Sequence, residues 1–115
     1  MYTLARKNLL AKNLINMKKV LPEEFNFFPK TYLLPAQMHE FKTEFKHGRS
    51  QKAWILKPDA MAQGKGIMLT KQWKRVQKIG EESYVAQRYL SKPMLIDELK
   101  FDLRLYVLVC GVNPL

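Results

Sequence analysis

Cysteine is almost missing from this chain: Cys110 stands alone among 115 residues. That excludes an internal disulfide and argues against a structural zinc site, and it suits a reducing compartment. Histidine is scarce too, with only His39 and His47, both read as surface residues on or beside a helix. No Ser–His–Asp or Cys–His arrangement can be assembled. Long apolar runs are also lacking. The longest, Leu105 to Val112 with Gly111 inside it, falls far short of the ~20 residues that cross a bilayer. No apolar segment follows Arg6 and Lys7, so the start of the chain does not read as a signal peptide. Acidic residues are outnumbered, 10 against 20 Lys and Arg, for a net charge of +10. Such an excess either serves solubility or favours an anionic partner. No segment repeats and none is low in complexity. Neither paired aromatics on a sheet nor a helix-turn-helix or zinc pattern is present, which argues against a nucleic-acid binder.

The chain is 47% hydrophobic, enough for the core of one small domain or of a piece of a larger one. Leu10, Leu14, Met17 and Leu21 recur at helical spacing and predict a helix over 3–21, ended by Pro22. A loop at Phe25–Pro29 leads to a short strand at Thr31–Leu34, closed by Pro35. Residues 36–46 read as a second helix, with Phe41 and Phe45 one turn apart. A strand at Ala53–Lys57 stops at Pro58, a loop runs from Asp59 to Lys65, and a strand returns over Gly66–Thr70. A short helix over 71–79 and a strand at Tyr84–Tyr89 follow. Ser91–Glu98 reads as a plain connection. Helices first and a strand-rich half after them predict the α+β class. Met61, Met68 and Met94 are expected to fill gaps in the core.

The last segment carries the strongest pattern. As a strand over 100–110, it places Phe101, Leu103, Leu105, Val107 and Val109 on one face. Lys100, Asp102 and Arg104 share the other with Tyr106, Leu108 and Cys110. So apolar a strand is expected to be buried on both sides, where ionised groups cost several kcal/mol each unless paired. Two readings stay open. In one, the three charges form a salt-bridge ladder along a face, i and i+2 neighbours lying ~6.6 Å apart. In the other, the two cations and the carboxylate surround one polyanionic ligand.

Three more features carry chemistry. The loop Gln63-Gly64-Lys65-Gly66-Ile67 is either an ordinary glycine turn or a phosphate cradle of backbone amides. It is not a P-loop, because no Gly-Lys-Ser/Thr ends it. Lys57 closes an otherwise apolar strand just before that loop, and there it either snorkels to solvent or reaches phosphate oxygens as a point charge. Gln87-Arg88-Tyr89-Leu90 is either a polar strand end or a set of donors and acceptors that reads a base edge.

Taken in order, these motifs resemble the tubulin–tyrosine ligase-like family, its polyglutamylase branch more than tyrosine ligase itself. They are Phe28-Pro29-Lys30-Thr31-Tyr32 with Leu34-Pro35, Trp54-Ile55-Leu56-Lys57-Pro58, the Gln63–Ile67 loop, Tyr84-Val85-Ala86-Gln87-Arg88-Tyr89-Leu90, Pro93-Met94-Leu95-Ile96-Asp97, and Lys100-Phe101-Asp102-Leu103-Arg104 before Tyr106-Val107-Leu108-Val109. The resemblance covers nearly the whole chain, and Arg6-Lys7 with the first helix also fits it. It implies an ATP-grasp ligase that phosphorylates a glutamate side chain on an acidic tubulin tail and then joins a free glutamate to it. Microtubules, ATP and free glutamate are the implied partners, with no nucleic acid and no membrane. The implied location is the cytoplasmic cytoskeleton, including cilium or basal body.

The resemblance assigns Lys57 to the ATP phosphates and Gln63, Gly64, Lys65, Gly66 and Ile67 to the loop over them. Gln87, with the backbone of Arg88, Tyr89 and Leu90, would lie at the adenine. Lys100, Asp102 and Arg104 would lie at the nucleotide and the reaction centre, with Arg104 and Lys100 catalytic. Relatives carry their Mg²⁺ ligands, an Asp and a Glu-x-Asn pair, farther downstream, whereas Asp102 is the last side-chain carboxylate here. The expectation is therefore a partial ligase domain over 1–115, an incomplete ATP-grasp fold without the metal-binding part and inactive alone. A glycylase of the same family and a non-catalytic module that holds tubulin tails or ATP are the alternatives.

Overall fold

A computed structural model describes residues 2–47, 52–59 and 64–111. Two helices open the chain, α1 (Tyr2–Ala5) and α2 (Lys7–Val20). Strand β1 (Thr31–Leu34) and helix α3 (Met38–His47) follow. Next come β2 (Trp54–Pro58), β3 (Met68–Thr70), α4 (Trp73–Gln77) and β4 (Tyr84–Arg88), then a small hairpin of β5 (Leu95–Ile96) and β6 (Leu99–Lys100). The first four strands form one antiparallel sheet in the order β1-β4-β2-β3. This is the expected α+β class.

Strand register decides what each side of the sheet holds. Thr31 lies opposite Gln87, Leu33 opposite Val85, Lys57 opposite Val85 and Ile55 opposite Gln87. Directly opposed residues share a face, so these residues line one side, where α2 packs. Tyr32, Leu34, Trp54, Leu56 and Ala86 line the other and form the core with Phe41 of α3 and with Val76 and Ile79 of and after α4. Phe41 is the hub of that core. Its ring centroid lies 5.0 Å from Trp54, 5.4 Å from Tyr32, 5.7 Å from Phe45 and 5.9 Å from Trp73. Edge-to-face and tilted pairs of this kind add to the area that the rings bury.

Several sequence expectations shift. The first helix breaks at Arg6, which is extended (φ −88°, ψ 132°). No Gly or Pro marks the break, and the helix restarts where Lys7 Nζ donates to the Pro58 carbonyl at 3.3 Å. The side of α2 turned to the sheet is Lys7, Ala11 and Leu14, while Met17 and Leu21 are exposed. Met68 packs against the core as expected, Met94 is exposed, and Met61 lies outside the described residues. Within the connection at 91–98, Ile96 pairs with Leu99 around Asp97 (φ 48°) and Glu98 (φ 63°). Two successive positive-φ residues make a tight primed hairpin turn, which usually advertises itself with Gly or Asn.

The largest correction concerns the expected strand at 100–110. Only Lys100 is in a strand, and 101–111 has no regular structure, with nearly every side chain exposed, Tyr106 at 91% and Leu108 at 86%. A strand needs a neighbour for its backbone N–H and C=O groups. Among the described residues none pairs with this segment. The period-2 pattern predicts a strand, but a pattern alone supplies no ladder.

The aromatic hub yields a direct test. Phe41→Ala should destabilise the fold by about 3–5 kcal/mol, the usual cost of deleting a buried ring. Exposed Phe27→Ala should cost well under that. Urea unfolding followed by tryptophan fluorescence would separate the two.

Candidate anion site between the first helix and the sheet

Lys57 sits one residue before the end of β2, on the α2 side of the sheet, half-buried. Its ammonium donates to Gln87 Oε1 at 2.9 Å. Gln87 Nε2 donates to Thr31 Oγ1 at 3.0 Å, and the Thr31 hydroxyl donates to the Pro29 carbonyl at 2.7 Å. The chain Lys57–Gln87–Thr31–Pro29 spans three adjacent strands and fixes the orientation of the Gln87 amide, oxygen towards the lysine. A cavity of about 140 Å³ opens beside it, bounded by Lys7, Ala11 and Leu14 of α2 and by Phe28, Lys57 and Gln87. None of its lining residues is a carboxylate.

Burial pushes the Lys57 pKa below the ordinary lysine value, and the neighbouring Lys7 charge pushes it the same way. Both causes oppose the cation, so the site favours an anion that would offset them. Whole small-molecule pockets usually run to ~300–1,000 Å³. The cavity here is phosphate-sized, and its two lysines, Lys57 and Lys7, fit a phosphate group. They do not fit a divalent cation: among the described residues no three His, Cys, Asp or Glu side chains come together.

The other sequence-predicted residues distribute as follows. Gly64 (φ 75°) and Gly66 (φ 71°) both need the left-handed conformation. They shape a turn in which the Ile67 amide donates to the Gly64 carbonyl at 3.3 Å, with Lys65 exposed at its tip. Gln63 lies outside the described residues. The turn belongs to the connection between β2 and β3, so it follows directly from the strand that carries Lys57. Arg88 and Tyr89 are partly buried at the end of β4; the Arg88 amide donates to the Lys30 carbonyl at 2.9 Å and the Tyr89 amide to the Ala53 carbonyl at 3.0 Å. Leu90 is exposed. Lys100 is exposed with its ammonium 5.9 Å from the Tyr89 ring centroid.

Asp102 and Arg104 are exposed in the irregular segment, with no ion pair or hydrogen bond among the described residues. The structure thus joins Lys57 to Gln87 and Lys100 to Tyr89. It does not bring Asp102 or Arg104 to either pair, and no salt-bridge ladder forms. Two contributors went unassigned in the sequence. Lys7 was marked by its position, a lysine on the same helix face as Ala11 and Leu14. Thr31 looked like an ordinary strand residue, and only the register reveals it.

A family model described as the tubulin-tyrosine ligase family matches residues 1–115. The chain belongs to that family. It is 53% identical over 116 residues to a probable beta-tubulin polyglutamylase of Tetrahymena thermophila, covering all of this chain and 10% of that protein. It is 46% identical over 115 residues to the human tubulin polyglutamylase TTLL6, covering all of this chain and 13% of that protein. It is 42% identical over 115 residues to tubulin polyglutamylase TTLL7 of Xenopus tropicalis, covering 97% of this chain and 12% of that protein. The chain therefore spans about a tenth to an eighth of the length of these relatives.

The lowered Lys57 pKa has a definite sign in two measurements. A lysine depressed in the folded state loses its proton before the unfolded chain does. Stability should therefore rise with pH from the folded value towards the unfolded one, and Lys57→Met should flatten that rise. Inorganic triphosphate should bind less well over the same rise, because the ammonium that attracts it is lost. Lys57→Arg should keep triphosphate affinity level across that window. Calorimetric titration at stepped pH would read both.

Proposed function

We propose that this chain supplies the phosphate-binding part of an ATP-dependent ligase that adds glutamate to glutamate side chains of tubulin tails. The observation that carries the reading is the half-buried Lys57, held by Gln87 and destabilised as a cation by burial and by Lys7. The names of its relatives favour polyglutamylation. In this reading the fold is part of an ATP-grasp domain. Bound ATP would supply a phosphoryl group to a carboxylate, with ADP as the leaving group; the amine of a free glutamate would then displace phosphate from the acyl carbon, forming the amide and giving up a proton.

Each residue then has a task. Lys57 and Lys7 hold phosphate oxygens, and the Gln63–Ile67 loop covers them. Gln87 positions Lys57, and the backbone of Arg88, Tyr89 and Leu90 lies at the adenine. Lys100, from β6, and Asp102, from the irregular segment after it, hold the nucleotide, with Lys100 and Arg104 neutralising transferred charge. The Mg²⁺ ligands come from elsewhere in the protein. The net charge of +10 suits acidic tubulin tails, and the location that goes with this reading is the cytoplasmic cytoskeleton, cilium or basal body included.

One observation favours a second reading, a module that holds tails or ATP without chemistry: Asp102 and Arg104 stand apart from Lys57. Incorporation of radiolabelled glutamate into tubulin by the full-length protein discriminates the two, and labelled glycine in its place tests a glycylase. In the full-length protein Lys57→Ala should abolish ATP binding, and wild-type affinity in that variant would overturn the ligase reading. Gln87→Glu should weaken ATP at least about tenfold. It sets a carboxylate where the phosphates go and leaves Thr31 Oγ1 facing an oxygen instead of a donor.

A further inference from the structure

A second cleft lies beyond the edge strand β1, at the C-terminal half of α2. Its volume is about 490 Å³, and it is lined by Lys18, Lys19, Lys30, Asn26 and Phe28, with Thr31 at its inner end. Three lysines line it, and none of its lining residues is a carboxylate. Two of them are held in place. Lys18 Nζ donates to Asn26 Oδ1 at 2.8 Å and lies 5.2 Å from the Phe28 ring centroid. Lys30 Nζ pairs with Glu44 at 2.7 Å, a contact that raises its pKa and keeps it charged. Lys19 is exposed.

We infer that this cleft is a docking site for an acidic peptide segment. The inference rests on the proposed ligase reading for its occupant and on the structure for its charge. Three arguments select a carboxylate-bearing chain. The lysines are separate point charges, Lys18 and Lys19 on α2 and Lys30 just before β1, and the ammoniums of Lys18 and Lys30 are drawn to different partners, Asn26 and Glu44, instead of to one point. The Phe28 ring forms an apolar floor against which a peptide's methylene groups and backbone can lie. The cleft also adjoins the anion site: Phe28 and Thr31 line both cavities, and Thr31 accepts the hydrogen bond of the Gln87 that holds Lys57. A peptide seated on Lys18, Lys19 and Lys30 would therefore lead one of its carboxylates towards the phosphate site. Glu44 takes up part of the Lys30 charge, so Lys18 and Lys19 carry most of the attraction.

The test uses the full-length protein, a fluorescein-labelled oligoglutamate peptide and fluorescence anisotropy. The double variant Lys18→Glu/Lys19→Glu should weaken peptide binding at least about tenfold and make what remains less sensitive to salt, while ATP affinity stays at its wild-type value. Wild-type peptide affinity in the double variant overturns the inference. So does a labelled oligonucleotide that binds as tightly, competes with the peptide and is lost in the same variant, which would make the cleft a nucleic-acid site. Lys18→Gln/Lys19→Gln, which removes charge without adding repulsion, should give an intermediate loss, and no loss there also counts against it. Failure of the ligase reading looks different: ATP then does not bind even the wild type, whatever the peptide does.

Discussion

The structure hangs on the Phe41 ring. It is fully buried and touches rings from β1, β2, α3 and α4. The sheet is small, and its central strands, β4 and β2, have only a few residues each over which to pair. Backbone ladders of that length do not by themselves fix a register, because a one-residue slip costs little in hydrogen bonds. It costs much in packing, since every side chain would change sides. By gripping Tyr32 and Trp54 at once, Phe41 holds β1 and β2 to a single face of the sheet. Strand alternation then leaves Lys57, Gln87 and Thr31 no choice but the opposite face. The phosphate-sized cavity is thus a consequence of the aromatic core, although none of its polar residues touches that core.

The two faces are built to different standards. The aromatic face is closed and apolar, with Leu56, Val76 and Ala86 fully buried. The α2 face buries less and carries the cost of a desolvated ammionium at Lys57, offset in part by the Gln87 amide. An amide is a weaker partner for a lysine than a carboxylate would be. A Glu at position 87 would neutralise Lys57 more fully and would leave less of its charge for a ligand. Gln87 orients the lysine and leaves its charge available, and Thr31 with Pro29 locks the amide the right way round.

Much of this was legible in the sequence where local rules suffice. Pro22 and Pro35 punctuate elements as expected, while Pro58 is the last residue of β2 instead of the first beyond it; the Phe41/Phe45 spacing marks the inner face of α3, and the β2–β3 return around Gly64 and Gly66 was visible from the glycines. The Lys57–Gln87 pair could be suspected only as two separate features. What joins them is the antiparallel pairing of β2 with β4, thirty positions apart, and no local pattern encodes that. The β5–β6 hairpin was missed because Glu98 takes a positive-φ turn position that sequence rules assign to Gly, Asn or Asp. The strand at 100–110 was over-read for the opposite reason. Alternation in Leu103, Leu105 and Val107 reports a preference for a pleated, packed surface, and a preference does not supply the neighbouring strand.

Charge ties the anion site to the basic cleft through one element. Helix α2 carries Lys7, Lys12, Lys18 and Lys19 and no acidic residue. Opposite ends of the same helix serve different cavities, Lys7 beside Lys57 and Lys18 with Lys19 beyond β1. The long-range field of a chain with net charge +10 draws any polyanion and cannot tell one from another. Discrimination has to come from what surrounds each lysine. Lys57 is half-buried and constrained to one direction by an amide, which suits a compact, highly charged group. Lys18 lies over an aromatic ring at an open trough, which suits a longer chain whose charges are spaced and whose body is partly apolar. On the proposed reading, the two anions would approach one another across Thr31, which lines both cavities beneath this one basic helix.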